Sequence, residues 1–439
     1  MVLNSIYTYD LTSLIGQDDN RIKTQTMNAY TVRRYDKKAL SPETVSTYGL
    51  CRSVITDADN NIVAFSPPKS LPFDDFVAKY PDTSRIVATE FVEGTMINVF
   101  WSNGDWEIAS RSNVGATNGF TKTFRDMFYD AMNACNLVLN TLPKEFSYSF
   151  VLQHPDNRIV VPIGKPQLYL IAVYSYHQGS IDNQGTVVKH RTIVKHRTIV
   201  KSHDLSDFPE FNATTVNVPA VYDLTTYEDF AEKTKTLDYT YLGVMLTNPA
   251  TGERTKIRNP NYEKVRHLKG NHPKLQYQYL CLRKSGKISQ YLHYYPESNK
   301  EFAGFRDKVH EFTRKLRDNY ISCYIRKERP LMEYSDEYRT HMYSLHQIYK
   351  NNLKPNGKIL VFEDVVNYVN ELHPNLLMHS INYSTFGKGG AKSAFKKSTF
   401  EKGGAKSDTE VEATVSEATV SEATVSDEPS TEEAVSECV

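Results

Sequence analysis

The chain has 439 residues with 52 Lys plus Arg and 52 Asp plus Glu, so its formal net charge is zero. The charges are unevenly distributed along the chain. Residues 408–439 contain ten carboxylates and no Lys or Arg, so residues 1–407 carry a net charge of +10. A content of 40% apolar and 12% aromatic residues excludes a wholly disordered chain. No run of about 18 apolar residues occurs, which excludes a membrane span. The uneven charge predicts a basic folded body with an acidic tail.

The segment from about 84 to 260 is predicted to form mainly sheet. RIVATEF and TMINVFW come before Asn103-Gly104 and WEIASRS follows, which is typical of a hairpin with an Asn-Gly turn. A helix is predicted at 120–135, where apolar residues follow a 3.6-residue period. The further strand candidates are SYSFVLQ, RIVVPI, QLYLIAVY, TYLGVML and RTKIRN.

Beyond residue 299 the apolar spacing becomes helical and predicts three amphipathic helices, at 302–316, 334–352 and 360–373. The segment 384–439 is rich first in Gly, Lys and Ser and then in Glu, Ser, Thr and Val, so we expect a disordered linker and acidic tail. The hexapeptide KHRTIV occurs twice, at 189–194 and 195–200, and is expected to lengthen a surface loop or hairpin.

The segment from Arg254 to Arg329 is strongly basic, with nineteen Lys or Arg against seven Asp or Glu. Its stretch LQYQYLCLRK interleaves aromatic and basic residues, which suits single-stranded nucleic acid because phosphates need cations and unstacked bases need aromatic faces. A solvated basic surface over core tyrosines is the alternative. The candidate nucleic-acid contacts are Lys264, Arg266, Lys269, Lys274, Arg283, Lys284 and Lys287.

A series of segments then occurs in a recognisable order: CRSVITDADNNIVAF, SPPKSLPFDDF, EFVEGTMINVFW, WEIASRS, FVLQHPDNRIVV, YLGVML and TKIRNPNY. Over about 45–265 this series resembles the bacteriophage-type RNA ligases of the covalent nucleotidyltransferase superfamily, and most of all divergent ligase-like proteins of large DNA viruses. The resemblance implies an α+β nucleotidyltransferase fold at 1–298 (core 45–265, basic extension 254–298). A helical C-terminal domain at 299–383 and the disordered tail at 384–439 follow it.

The resemblance also implies that the chemistry of the family is impaired. In the family a KxDG lysine attacks the α-phosphate of ATP, and alignment on Gly94 places Glu93 at the acidic position and Phe91 at the nucleophile. Val151 replaces the glutamate that meets the ribose, and Leu242 replaces a carboxylate associated with the metal. Because an apolar side chain can neither attack phosphorus nor bind a cation, no catalytic residue is assigned with certainty.

Cations that match the phosphate-binding positions of the family are retained. They are Arg52, Lys69, Arg111, Lys256 and Arg258. Their alternative role is salt bridging and surface solvation. ATP and Mg²⁺ are the expected cofactors only if ligase activity survives, and no metal site is predicted from the histidines, which lack HExxH or comparable spacing.

Three hypotheses follow. The first is a catalytically degenerate ligase-like protein that binds RNA or nucleotide. The second is an active ATP-dependent RNA ligase that uses a displaced lysine, with Lys69 or Lys79 the near candidates. The third is a viral structural or interaction protein on a ligase scaffold. The chain has five Cys without CxxC spacing and no visible signal peptide, so we expect a cytoplasmic protein, in a host cytoplasm or a virion if viral. The basic, aromatic-rich segment predicts RNA or other single-stranded nucleic acid as the partner. The oligomeric state is unknown from the sequence.

Overall fold

The computed structural model describes residues 6–15, 19–27, 29–117, 122–180, 196–270, 272 and 274–383. These residues form a mixed α/β structure, in agreement with the predicted α+β class. They divide into two compact units, one that extends to Arg266 and one that begins at His267. The predicted tail at 384–439 and the first KHRTIV copy lie outside the described residues, whereas most of the second copy lies in a strand.

Fourteen strands occur in the described part of the first unit. They are Thr8–Asp10 (β1), Ile22–Met27 (β2), Tyr30–Tyr35 (β3), Val54–Thr56 (β4), Ile62–Phe65 (β5), Val87–Glu90 (β6), Thr95–Ser102 (β7), Asp105–Ser110 (β8), Ser147–Gln153 (β9), Gln167–Ser180 (β10), His196–His203 (β11), Val221–Tyr222 (β12), Gly243–Thr247 (β13) and Arg254–Arg258 (β14).

Eleven α-helices occur among the described residues, and the two longest are in the second unit. They are Val45–Tyr48 (α1), Phe73–Lys79 (α2), Phe124–Ala134 (α3), Tyr227–Lys235 (α4), Pro260–Lys269 (α5), Leu275–Lys284 (α6), Ile288–Tyr294 (α7), Asn299–Tyr320 (α8), Asp336–Ile348 (α9), Phe362–Glu371 (α10) and Pro374–Ile381 (α11).

The strands form three sheets, and their named pairings are all antiparallel. The six-stranded sheet has the order β1-β11-β10-β9-β7-β8, and the four-stranded sheets have the orders β12-β6-β13-β14 and β2-β3-β4-β5. Successive side chains of a strand point to opposite faces. On β7, Ile97 therefore packs in the core with Phe128 of α3, whereas Met96 faces the other way beside Val151 of β9.

The structure confirms most of the sequence-predicted strands, and the Asn103-Gly104 turn joins β7 to β8. One strand prediction is wrong. The run RIVVPI at 158–163 is irregular, because the backbone N–H groups of Val160 and Val161 donate to a buried carboxylate and not to a neighbouring strand. Its β-branched residues fit a strand by propensity, but tertiary contacts decide the conformation.

The division between the units falls at 266/267, earlier than the 298/299 boundary expected from the sequence. Aromatic packing gives the reason. The ring of Phe302 on α8 lies 5.1 Å from that of Tyr279 on α6 and is stacked 5.0 Å from that of Tyr291 on α7. The basic extension from 267 therefore packs with the helices that follow it, and Tyr279, only 3% exposed, is a core residue that cannot stack on a base.

His341 of α9 lies buried where it contacts α8, α10 and α11, and its ring lies 5.5 Å from that of Phe312 on α8. Its Nδ1 lies 2.9 Å from the Tyr368 hydroxyl on α10, and its Nε2 lies 2.8 Å from the Ser380 hydroxyl on α11. Ser380 donates its one proton to the Leu376 carbonyl, so Nε2–H donates to Ser380 and Nδ1 accepts from Tyr368. Both contacts are satisfied by the neutral ring, and burial lowers the pKa of His341.

Acid is therefore expected to destabilise the helical unit. Because the folded pKa of His341 lies below its ordinary value of 6.5, the unfolded chain binds more protons, and stability is lost as the pH falls below 6.5. Hydrogen exchange of α9–α11, corrected for intrinsic rates, should be faster at about pH 5 than at about pH 7. His341→Gln should reduce this difference, whereas His310→Gln, at an exposed position, should not. Equal protection at both pH values would contradict the prediction.

Candidate functional site

A cavity of about 710 Å³ is lined by two of the sheets in the first unit. The six-stranded sheet contributes Met96, Val151 and Ile171, and the sheet that contains β6, β13 and β14 contributes Met245 and Lys256. A volume of this size is typical of small-molecule and cofactor sites. The cavity wall therefore combines an apolar strip from one sheet with a charged strip from the other.

The charged strip follows from the period of two along β14. Thr255 and Ile257 are buried on one face of this strand, so Arg254, Lys256 and Arg258 share the other face and line the cavity. Four more cations line the same cavity, and three carboxylates accompany the seven. The additional cations are Arg52, Lys69, Arg111 and Arg266, and the carboxylates belong to Glu90, Glu93 and Asp204.

Arg254 connects β14 to the loop before α2. Its Nε lies 3.0 Å from the carbonyl oxygen of Pro68, and its Nη2 lies 3.0 Å from that of Pro67. A proline has no backbone N–H, so the backbone of Pro67 and of Pro68 can be held by hydrogen bonds only through the carbonyl. Arg254 thus fixes the loop that leads into Lys69, which also lines the cavity.

Arg258 and Arg266 are positioned by one carboxylate. Glu263 of α5 accepts a hydrogen bond of 2.5 Å from Arg258 and one of 2.8 Å from Arg266. The Arg258 guanidinium also lies 5.8 Å from the ring centroid of Phe91, within the range of a cation–π contact. The residue at the expected nucleophile position therefore supports a cation of the cavity wall.

Glu93 has a positioning role beside the cavity. It is 6% exposed, and its two oxygens accept from the backbone N–H groups of Val160 and Val161 at 3.1–3.2 Å. Tyr262 of α5 also hydrogen-bonds this carboxylate, and burial together with the negative charge of Glu93 raises the pKa of Tyr262 far above its ordinary value. Gly94 has a φ of +149°, and a Cβ there would lie 2.5 Å from the Leu152 carbonyl oxygen.

The structure brings together the residues that the sequence predicts to bind nucleotide. All five predicted phosphate-binding cations line the cavity, as do Glu93, Gly94 and the apolar residues Phe91, Val151 and Leu242, which the resemblance places at the positions of catalytic groups. Lys79 does not line it: its Nζ lies 2.7 Å from Glu253, and this contact raises the pKa of Lys79. A nucleophilic amine needs the opposite shift.

The predicted nucleic-acid contacts are divided between the two units. Arg266 lines the cavity and Lys264 is exposed on α5, whereas the other five belong to the second unit. Within that unit Arg283 donates to Asn370, and Lys284 donates to the carbonyl of Glu371 at 3.1 Å, so both fasten α6 to α10. Lys274 and Lys287 are exposed, and Lys269 lies 5.5 Å from the ring centroid of Tyr295.

Sequence reasoning missed two residues that shape the cavity. Arg254 belongs to the alternating run RTKIR, and that alternation was the available signal for its position on the cavity wall. Tyr262 gave no such signal, because its contact with Glu93 depends on how α5 packs.

Comparisons with known proteins give a limited result. No protein-family profile matches the chain, and no curated protein matches it either. Solved structures that are similar include Naegleria gruberi RNA ligase mutants. One, with AMP and Mn, is 12% identical with a TM-score of 0.32, over 46% of this chain and 57% of that chain. Another, with ATP and Mn, is 11% identical with a TM-score of 0.32, over 58% of this chain and 80% of that chain. The chain thus spans little more than half of the first of these ligases.

No helix among the described residues has both the length and the apolar content that a membrane crossing requires.

Glu93→Gln is expected to destabilise the first unit. The substitution replaces one acceptor oxygen with an NH₂ group that faces backbone donors, and a buried donor without a partner costs about 1–3 kcal/mol. Thermal unfolding of the full chain should show the loss. Glu90→Gln is the matched control, because Glu90 accepts only a long bond of 3.4 Å from the Ala220 N–H. Equal melting temperatures for both variants would contradict this role of Glu93.

Proposed function

We propose that this chain is an RNA-ligase-like protein that has lost nucleotidyl transfer and binds RNA or nucleotide through the cations of its cavity. One observation carries the proposal: the cavity that collects the five matched cations also collects Phe91, Val151 and Leu242. The cations that would bind phosphate and the apolar side chains at the positions expected for catalytic groups thus line the same cavity. This arrangement supports binding without reaction.

The first step of ligation requires a nucleophilic amine. In that step a lysine amine forms a bond to the α-phosphorus of ATP, and pyrophosphate leaves with the electron pair of the broken P–O bond. Phe91 has no lone pair to form this bond. Of the two lysines considered as displaced nucleophiles, Lys69 lines the cavity. Lys79 does not, and Glu253 holds it as an ammonium group.

The residues of the cavity fit a nucleotide. Guanidinium and ammonium groups on β14 suit phosphate oxygens, since charge-assisted hydrogen bonds to phosphate are among the stronger polar contacts. The apolar strip of Met96, Val151 and Ile171 offers a surface for a base or another flat apolar group. The cations would bind and orient the phosphates, and no residue is assigned a proton-transfer role.

The protein is expected not to adenylate itself. Purified full-length chain is incubated with α-³²P-labelled ATP and Mg²⁺ or Mn²⁺, and the protein is then separated on a denaturing gel. No labelled band should appear, and Phe91→Lys alone should not produce one, because Val151 and Leu242 still replace oxygen-bearing side chains. An acid-labile band that disappears in Lys69→Ala would establish the active-ligase alternative instead.

Binding of single-stranded RNA is expected to depend steeply on salt. If about four phosphates are engaged, the slope of log affinity against log salt should be near −3, at roughly −0.7 per contact. Lys256→Ala should weaken binding about three- to tenfold and flatten the slope by about 0.7. Lys233→Ala removes the same charge from an exposed position on α4 and is the matched control. Unchanged binding by Lys256→Ala would place the RNA site elsewhere, and absence of RNA and nucleotide binding would favour the scaffold hypothesis.

A further inference from the structure

We infer that the cavity binds its polyphosphate ligand as the metal-free anion, and that Mg²⁺ weakens this binding. The inference rests on the proposed function, since it specifies the ionic form of the nucleotide. Two observations carry it: the charge of the cavity wall, and the hydrogen bonds already made by each carboxylate on that wall.

The charge of the wall is strongly positive. Seven guanidinium and ammonium groups line the cavity, against three carboxylates. Three of the seven project from one face of β14, and the pairing of Arg258 and Arg266 with Glu263 holds two of the seven in place before a ligand arrives. A metal-free polyphosphate carries more negative charge than its Mg²⁺ complex, so this wall attracts it more strongly.

The carboxylates of the wall are engaged with protein donors. Glu93 accepts from two backbone N–H groups and is hydrogen-bonded by Tyr262. Asp204 caps a short 3₁₀ turn, where its Oδ1 lies 2.9 Å from the Ser206 N–H nitrogen and 2.7 Å from the Ser206 hydroxyl. Glu90 differs from these two, since its carboxylate accepts one long contact of 3.4 Å from the Ala220 N–H. To bind a metal, Glu93 and Asp204 would have to give up these contacts.

Mg²⁺ requires near-octahedral oxygen coordination at about 2.0–2.1 Å and usually takes one or two carboxylates in addition to phosphates. No cluster of three or more His, Cys, Asp or Glu suited to a metal ion occurs within the described part of the chain. Of the three carboxylates on the cavity wall, only Glu90 lacks a short hydrogen bond to a protein donor, so Mg²⁺ beside the nucleotide would have one carboxylate ready to bind it. Mg²⁺ held on the ligand would otherwise face arginines and lysines.

Equilibrium dialysis with radiolabelled ATP tests the inference on the full-length protein. Binding is measured in excess EDTA and in excess MgCl₂, with KCl adjusted to equal ionic strength. We expect ATP to bind in EDTA, and about two- to tenfold more weakly when Mg²⁺ neutralises part of its charge. Lys256→Ala should weaken binding in EDTA, whereas Lys233→Ala should not.

A designed carboxylate supplies the converse test. Leu242 lines the cavity and is half-buried, so a polar side chain can be accommodated there. Leu242→Glu should weaken ATP binding about tenfold in EDTA, because its carboxylate repels phosphate, and Mg²⁺ should restore part of that loss. Leu242→Gln has the same length without the charge and should retain the response of the natural protein to Mg²⁺.

The outcomes separate the two proposals. ATP binding that requires Mg²⁺ would overturn the metal-free inference and leave the proposed nucleotide-binding function standing. Absence of ATP binding under both conditions would overturn nucleotide binding itself, and the inference with it. Binding in EDTA that Mg²⁺ weakens would support both, provided that Lys256→Ala reduces it, whereas binding that Mg²⁺ leaves equal or strengthens would overturn the metal-free inference alone.

Discussion

The arrangement of the first unit around its cavity depends on the buried carboxylate of Glu93. A negative charge that is 6% exposed is stable only when its lone pairs are occupied, and here two backbone N–H groups and the Tyr262 hydroxyl occupy them. These donors come from the 158–163 segment and from α5, both distant in sequence. The Glu93 side chain thus holds three parts of the unit together at the edge of the cavity: the link between β6 and β7, the irregular 158–163 segment, and α5.

Once that link is fixed, the positions of the neighbouring cations follow. Phe91 precedes Glu93 by two residues, and its ring lies beneath the Arg258 guanidinium. Tyr262, which contacts Glu93, and Glu263, which holds Arg258, are consecutive residues of α5. The segment that contains Phe91, Glu93 and Gly94 thus helps to position cations of the cavity wall.

The sequence predicts those features that depend on local periodicity. The apolar runs on either side of the Asn103-Gly104 turn predict β7 and β8. The alternation along RTKIR was a further signal of this kind, for the face that three cations share. Prediction from the sequence fails where a contact between distant residues decides the structure. RIVVPI has strand propensity, yet its N–H groups serve a carboxylate 67 residues earlier. Similarly, nothing local to Arg254 indicates that its guanidinium is held by the carbonyls of Pro67 and Pro68.

β14 is the last strand of its sheet among the described residues, and an edge strand can pair with a strand of another molecule. Charged side chains on an edge oppose such pairing, because two copies would bring like charges together. The segment before α2 covers part of this edge, since the Leu71 N–H donates to the Arg254 carbonyl. Three like charges beside the edge would add to the barrier against pairing of two copies, and a polyanion bound in the cavity would lower that barrier.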